Sequence, residues 1–217
     1  MTIRKGAEWG TVGPPPAGAL EARSDAELRA IVETCRLAGR DIPPVALLGG
    51  DLMRSVGGTG ALREECVTAP IDVVRVDAAG ETAGAALRTS AGASGGETAW
   101  FVANLVARRS WWRGELVVAM NAQFRGVWDV APRSHPNDGR VDLVRVAAEM
   151  SLRHRLQARS RLPQGTHLPH PAIETRQVKR VELQFHRPLR LWLDGAPWLT
   201  ASGATLTVEP DALQIVF

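Results

Sequence analysis

Apolar positions along the chain follow two periods. Leu28, Ile31, Val32 and Cys35 recur at helical intervals. They follow Ser24-Asp25-Ala26-Glu27, whose Ser-x-x-Glu spacing is that of a capping box, and precede Gly39, a residue that ends helices. Short apolar runs predict strands at Pro44-Val45-Ala46-Leu47-Leu48, at Ala69-Pro70-Ile71-Asp72-Val73, at Trp100-Phe101-Val102-Ala103-Asn104-Leu105, at Val117-Val118-Ala119-Met120 and over residues 140–146. Val181, Leu183 and Phe185 alternate, as do Leu189, Leu191 and Leu193, while Leu206, Val208, Leu213, Ile215 and Phe217 close the chain, so the C-terminal third predicts strands of a β-sandwich. A second helix is expected over residues 147–160, and Gly49-Gly50-Asp51 turns the strand before it into a short helix through Gly57. Residues 78–98, rich in Ala, Gly, Ser and Thr, predict a mobile loop between strands, with Ala85-Ala86-Leu87 a short strand within it. Gly13-Pro14-Pro15-Pro16 makes residues 1–20 an extended arm.

With 217 residues and 45% hydrophobic content the chain can bury one large core or two small ones. It contains no run of about 18 apolar residues and no charged-then-apolar start, so a cytoplasmic location is expected. Cys35 and Cys66 lack metal-ligand spacing and read as structural thiols. The basic residues are nearly all arginine, with Lys5 and Lys179 the only lysines, which weakens any scheme built on a phosphate-binding lysine. Arg153, Arg155, Arg159 and Arg161, with His154 among them, form either a solvated helix face or a surface for anionic lipid headgroups. Trp111-Trp112, flanked by Arg108, Arg109 and Arg113, can likewise dock at a lipid interface or bury beside an aromatic partner. No nucleic-acid recognition motif accompanies this charge, so no nucleic acid is expected as a partner.

Three stretches carry candidate chemistry. The strand at residues 117–120 runs into Asn121, then Gly126 and Ala131-Pro132, and reaches the turn Pro136-Asn137-Asp138-Gly139. Asn-Asp-Gly is turn chemistry in its own right; it also suits a Mg²⁺ ion held by one carboxylate, backbone carbonyls and retained waters. Gly49-Gly50-Asp51 forms a strand, glycine turn and short helix, a junction that can approach phosphates. His167 and His170 are three apart, but Pro169 between them prevents a common helical face and no third ligand is evident, so a structural loop is expected.

Taken together these residues resemble the bacterial diacylglycerol kinase and sphingosine kinase-like lipid kinases. In that family a strand ending in Asn leads through Gly residues to an Ala-Pro and a DDG-hydrophobic-Asp turn, matched here by Asn121, Gly126, Ala131-Pro132, Asn137-Asp138-Gly139 and Val141-Asp142. Asp51, Leu52, Met53, Arg54 and Gly57 match the family's Gly-Thr-Gly-Asn-Asp stretch with its following short helix, and residues 69–73 resemble the strand that opens its C-terminal domain. The resemblance covers residues 21–217 and implies an α+β fold: an arm at 1–20, a truncated α/β nucleotide-binding-like portion at 21–66, and a C-terminal antiparallel β-sandwich at 67–217. It further implies ATP lined by Asp25, Gly49, Gly50 and Asp51, and a structural Mg²⁺ held by the side chain of Asp138 with carbonyls from His135 and Arg140.

The departures from that family bear on mechanism. Its Gly-Gly-Asp-Gly-Thr motif falls on Arg23-Ser24-Asp25-Ala26-Glu27, where only the aspartate matches; Ser24 is placed to take the helix amides itself, and Glu27 adds negative charge where phosphate would sit. The family's proton-accepting glutamate is replaced by Ala196, leaving Asp194 to substitute, although turn preference alone explains an Asp-Gly hairpin tip. The opening strand-helix repeats are also short, which leaves open a start upstream of Met1. Two readings therefore stand: ATP- and Mg²⁺-dependent phosphoryl transfer to a lipid hydroxyl, weak or lost, or a non-catalytic lipid-binding or regulatory module. A third is a homo-oligomer, or a partner chain whose nucleotide site this one completes. Lipid binding would bring the protein to the inner membrane surface.

Overall fold

A computed structural model describes residue 3, residues 8–82 and residues 96–217, so Ala85-Ala86-Leu87 and most of the expected loop lie outside the described residues. In chain order the elements are β1 (Thr11–Gly13), β2 (Leu20–Ala22), α1 (Asp25–Leu37), β3 (Val45–Leu47), α2 (Gly50–Ser55), β4 (Cys66–Thr82), β5 (Gly96–Phe101), β6 (Asn104–Arg108), β7 (Leu116–Met120), β8 (Phe124–Arg125), β9 (Trp128–Asp129), β10 (Val141–Val146), α3 (Leu152–Arg161), β11 (Ile173–Val178), β12 (Arg180–Leu193) and β13 (Ala196–Val216).

The fold is α+β and dominated by antiparallel pairing. One sheet runs β1-β4-β13-β12-β6-β7-β10-β11, with β5 added on β4, and β8 and β9 form a separate small ribbon. The long strands serve both layers by bending. β12 slips register on β13 between Gln184 and Leu189, and β4 follows β13 from Thr68 to Thr82 with register shifts while pairing first with β1 and then, from Val74 to Ala79, with β5. The faces that meet bury Val74, Phe101, Leu105, Val117, Leu191, Leu193, Leu199 and Leu206. β7 is apolar at every position because both of its faces are covered, one by this core and the other by α3 and the loops around it.

The α/β portion is a strand-helix-strand unit added to that sheet. β2 and β3 are parallel, and β3 also runs parallel to the end of β13, with Val45 opposite both Leu20 and Ile215. The capping box forms as the spacing predicts: Glu27 N donates to Ser24 Oγ at 3.2 Å and Arg23 N donates to Glu27 Oε2 at 2.7 Å. Leu28, Val32 and Cys35 then face the core they share with Leu47, Leu52, Ile71 and Val102. The N-terminal arm is tied down. β1 pairs with β4, Trp9 Nε1 donates to the Pro70 carbonyl at 3.0 Å, and the Trp9 ring meets His135 edge-on at 4.8 Å.

Several elements differ from the sequence expectation. The run at 100–105 is not one strand: it breaks at Val102 and Ala103, whose amides turn toward a side chain on the β12–β13 hairpin. The strands expected separately after residue 180 are two continuous, bent strands. The second helix begins only at Leu152, where Ser151 accepts from His154 N, because Ala147 and Met150 first close a turn. Arg155 is not on a solvated face. It is 5% exposed and its guanidinium donates to the carbonyls of Met150, Trp111, Gly114 and Ala147. Among the described residues no helix is long and apolar enough to cross a membrane.

Candidate functional site

The first part of the site is the junction of α1 and α2. Asp25, at the start of α1, turns its carboxylate onto the first amides of α2, with Oδ2 accepting from Asp51 N at 2.7 Å and Oδ1 from Leu52 N at 3.1 Å. A helix N-terminus presents unpaired donors and a partial positive charge, and here an internal carboxylate satisfies both. Gly49 and Gly50 fit the same packing. A Cβ on Gly49 would run into the Arg23 carbonyl, and Gly50, at φ 101°, has no room for one against the Asp25 carboxylate. Asp51 reaches the other way, its Oδ1 accepting from Gly126 N at 2.6 Å. Burial raises its carboxyl above the usual range, against the Gly126 amide, the Arg125 and Arg54 charges and a hydrogen bond with the Asn104 side chain. Ser55 Oγ completes the link by accepting from Gln123 N at 3.0 Å and Phe124 N at 3.2 Å.

The second part is the hairpin between β12 and β13. Asp194 and Gly195, at φ 47° and 84°, are both left-handed, as a two-residue hairpin that matches strand twist requires. Turn preference is not the whole account of Asp194, because its carboxylate points inward. Oδ2 accepts from Val102 N at 3.0 Å, and Oδ1 accepts from Ala103 N and Asn104 N, each at 2.9 Å. Burial pushes the Asp194 carboxyl up to about 7, with the negative charge of Asp25 adding to it and the amides opposing. Asp25 is pushed up to about 6, again chiefly by burial. Asn121 joins the same region, its side-chain amide donating to the carbonyls of Asp72 and Val102, both at 2.9 Å.

The structure therefore brings together Asp25, Gly49, Gly50, Asp51 and Asp194, and adds Asn104 and the 102–104 amides, which sequence reasoning missed. Asn104 does carry a signal: it is the one polar residue in an otherwise apolar run from Trp100 to Ala107. Chemically, each cluster of converging amides is already occupied. At the α1 terminus Ser24 takes the Glu27 amide, at the α2 terminus Asp25 takes the amides of Asp51 and Leu52, and Asp194 takes those of the 102–104 turn. A triphosphate would have to displace these carboxylates, so the residues present do not fit one.

His135, Asp138 and Arg140 lie together on the turn before β10. Asp138 N donates to the His135 carbonyl at 3.3 Å and Asp138 Oδ1 accepts from Arg140 N at 2.9 Å. The turn is anchored by buried Asp72, which accepts from Gly139 N at 2.7 Å and Asp211 N at 3.0 Å. Asp138 is pushed up to about 6 by burial, with the charges of Asp142 and Asp72 contributing in the same direction. Among the described residues no cluster of three His, Cys, Asp or Glu side chains could hold a metal. The negative charge that Asp142 and Asp72 add around Asp138 fits a mostly hydrated hard cation instead. His167 and His170 do not pair: His167 is buried and His170 meets His154 edge-on at 5.5 Å.

Beside this region lies a cavity of about 100 Å³ between α3 and the outer face of β7 and β10. Its wall is almost wholly apolar, formed by Val118, Val144, Met150, Ala158, Trp111 and Trp128 among others, with Arg125 and Arg159 at its margin. The tryptophan pair divides its roles. Trp111 packs edge-on against Trp128 at 6.0 Å, while Trp112 is 41% exposed.

Comparison with known proteins agrees with this architecture. Solved structures similar to the chain include a diacylglycerol kinase from Bacillus anthracis str. Sterne, at 12% identity and TM-score 0.55, covering 85% of this chain and 71% of that one. A second protein of the same strain, provisionally named a diacylglycerol kinase, is 11% identical with TM-score 0.61 over 91% of this chain and 77% of its own. At these identities the likeness is one of fold. No curated protein sequence matches the chain. The profile of the YegS C-terminal NAD kinase beta sandwich-like domain matches residues 95–217, more than half of the molecule. The chain thus belongs to the family of the YegS C-terminal NAD kinase beta sandwich-like domain.

Proposed function

We propose that this protein binds a lipid on a diacylglycerol kinase fold without transferring phosphate to it. The observation that carries this reading is the apolar cavity of about 100 Å³ under α3, which no side chain among the described residues fills. Empty apolar cavities of roughly 150 Å³ hold a benzene molecule, so this one takes a short stretch of acyl chain. The absence of transfer follows from the occupied amides and from Ala196, which has no atom to accept a proton. Asp138, with the carbonyls of His135 and Arg140, would hold Mg²⁺, and the ion would relieve the repulsion among Asp138, Asp142 and Asp72 and so stiffen the turn that leads into β10.

A second reading, phosphoryl transfer from ATP to a lipid hydroxyl, has one observation in its favour: the Asp194 carboxyl, near 7, lies where a general base works at neutral pH. Three experiments separate the two. A fluorescent acyl-chain probe should bind saturably to the wild type, and Ala158→Trp, which fills the cavity from α3, should abolish that binding. At constant free Mg²⁺, adding Mg-ATP should leave the melting curve unmoved, whereas a ligand at 100 times its Kd would add about 2.7 kcal/mol, or roughly 5–10 °C. Radiolabel passing from ATP to diacylglycerol would overturn the non-catalytic reading, and a probe that binds Ala158→Trp as it binds the wild type would overturn the cavity assignment.

A further inference from the structure

Three arginines gather around Trp111 and Trp192, and one of them, Arg125, together with Trp111 lines the cavity. Arg108 on β6 and Arg190 on β12 are directly opposite in the antiparallel register, an arrangement that like charges oppose. Arg108 stacks 4.3 Å over Trp111 and 5.2 Å over Trp192; Arg190 lies 5.1 Å over Trp192, and Arg125 lies 5.3 Å over Trp111. Two indole rings thus gather three guanidiniums. Arg108 Nε, Arg125 Nε and Trp192 Nε1 are buried and have no acceptor. None of the three arginines makes an ion pair among the described residues, and the charge of Asp51 acts on Arg125.

We propose that Arg108, Arg125 and Arg190 bind the phosphate monoester head of an acylated amphiphile whose tail enters the cavity under α3. The proposal rests on the lipid-binding reading above and names the head that the site selects. Three cations against the one charge of Asp51 leave two uncompensated, and a phosphate monoester at neutral pH carries close to two negative charges where a diester carries one. The guanidinium fork matches phosphate oxygens in pairs, through the terminal Nη donors rather than the buried Nε of Arg108 and Arg125. Burial, and the repulsion that Arg125 and Arg190 each exert on Arg108, already lower its basicity, and a bound dianion relieves that repulsion. Trp111 and Arg125 belong both to this cluster and to the cavity wall, so head site and tail site are continuous. A neutral glyceride would leave the arginines unpaired.

The test is calorimetric titration of the full chain, below the aggregation concentration of each amphiphile, with a short-chain lysophosphatidate, the monoacylglycerol of the same chain length, and inorganic phosphate. Lysophosphatidate should bind at least tenfold more tightly than either of the others. Arg190→Gln, at an exposed position, and Arg108→Gln should each weaken lysophosphatidate at least tenfold and leave monoacylglycerol within threefold; Arg113→Gln, an exposed arginine outside the cluster, should leave both within threefold. Equal binding of lysophosphatidate and monoacylglycerol would sink the head assignment while the cavity reading survived; binding of neither would remove the cavity reading as well. Equal binding of inorganic phosphate, or an equal loss in Arg113→Gln, would overturn the amphiphile site in favour of free phosphate or general surface charge.

Discussion

Replacing Arg155 by Ala removes the fastening of α3. The side chain donates to four carbonyls: Nε to Met150 at 3.1 Å, Nη1 to Trp111 at 3.4 Å, and Nη2 to Ala147 at 2.9 Å and to Gly114. The bond to Met150 is buried, and an acceptor stranded there costs about 1–3 kcal/mol. The other three are partly exposed, so water replaces much of what is lost, and roughly 0.5–1 kcal/mol each is a fair expectation. The total, about 3–5 kcal/mol, with a urea m-value of roughly 2–3 kcal/mol/M, lowers the unfolding midpoint by about 1.5 M. The assay is urea unfolding followed by tryptophan fluorescence, with Arg153→Ala as the control. Arg153 is exposed on the same helix and should move stability by less than about 0.5 kcal/mol. Arg155→Lys should recover part of the loss, because an ammonium donates but cannot span four carbonyls. If Arg155→Ala and Arg153→Ala unfold at the same midpoint, the guanidinium does not hold α3 in place and the argument from burial fails.

Three further outcomes are expected. Asp194 at about 7 and Asp25 and Asp138 at about 6 all lie above their unfolded value of 3.8, so the folded state holds protons more tightly than the unfolded one. Their contribution is complete below pH 4 and is lost as pH rises through 6 to 7, so the melting temperature should fall from pH 5 to pH 8, with about 3 kcal/mol of that loss from Asp194 alone; a flatter profile in Asp194→Asn would confirm the source, and a wild-type profile that rises with pH would refute it. Gly50→Ala forces a side chain into a left-handed position against the Asp25 carboxylate and should cost about 2 kcal/mol or more by chemical denaturation, whereas Gly57→Ala, also left-handed but with open space at its Cβ, should cost only the backbone strain. Millimolar Mg²⁺ should raise the melting temperature of the wild type and not that of Asp138→Asn; equal shifts would remove Asp138 as the ligand.

Local chemistry is legible one segment at a time. Ser24 and Glu27 close the capping box because that contact spans three residues, Asp194-Gly195 makes its hairpin because two left-handed positions suffice, and β7 is buried on both faces because four apolar residues in a row cannot be divided between core and water. Where Asp194 aims its carboxylate was not legible: the turn preference is the same whether the oxygens face solvent or the amides of residues 102–104, some ninety positions earlier. Arg155 shows the same limit in reverse, since its polar helix looks solvated until the fold lays the carbonyls of Trp111 and Gly114 over it. Periodicity reports which side of an element is apolar, because that follows from the local geometry of the backbone. Which loops come to oppose each other follows from how β4, β12 and β13 bend between layers, and that bending alone assembled the carboxylate-filled amides and the arginine cluster of this protein.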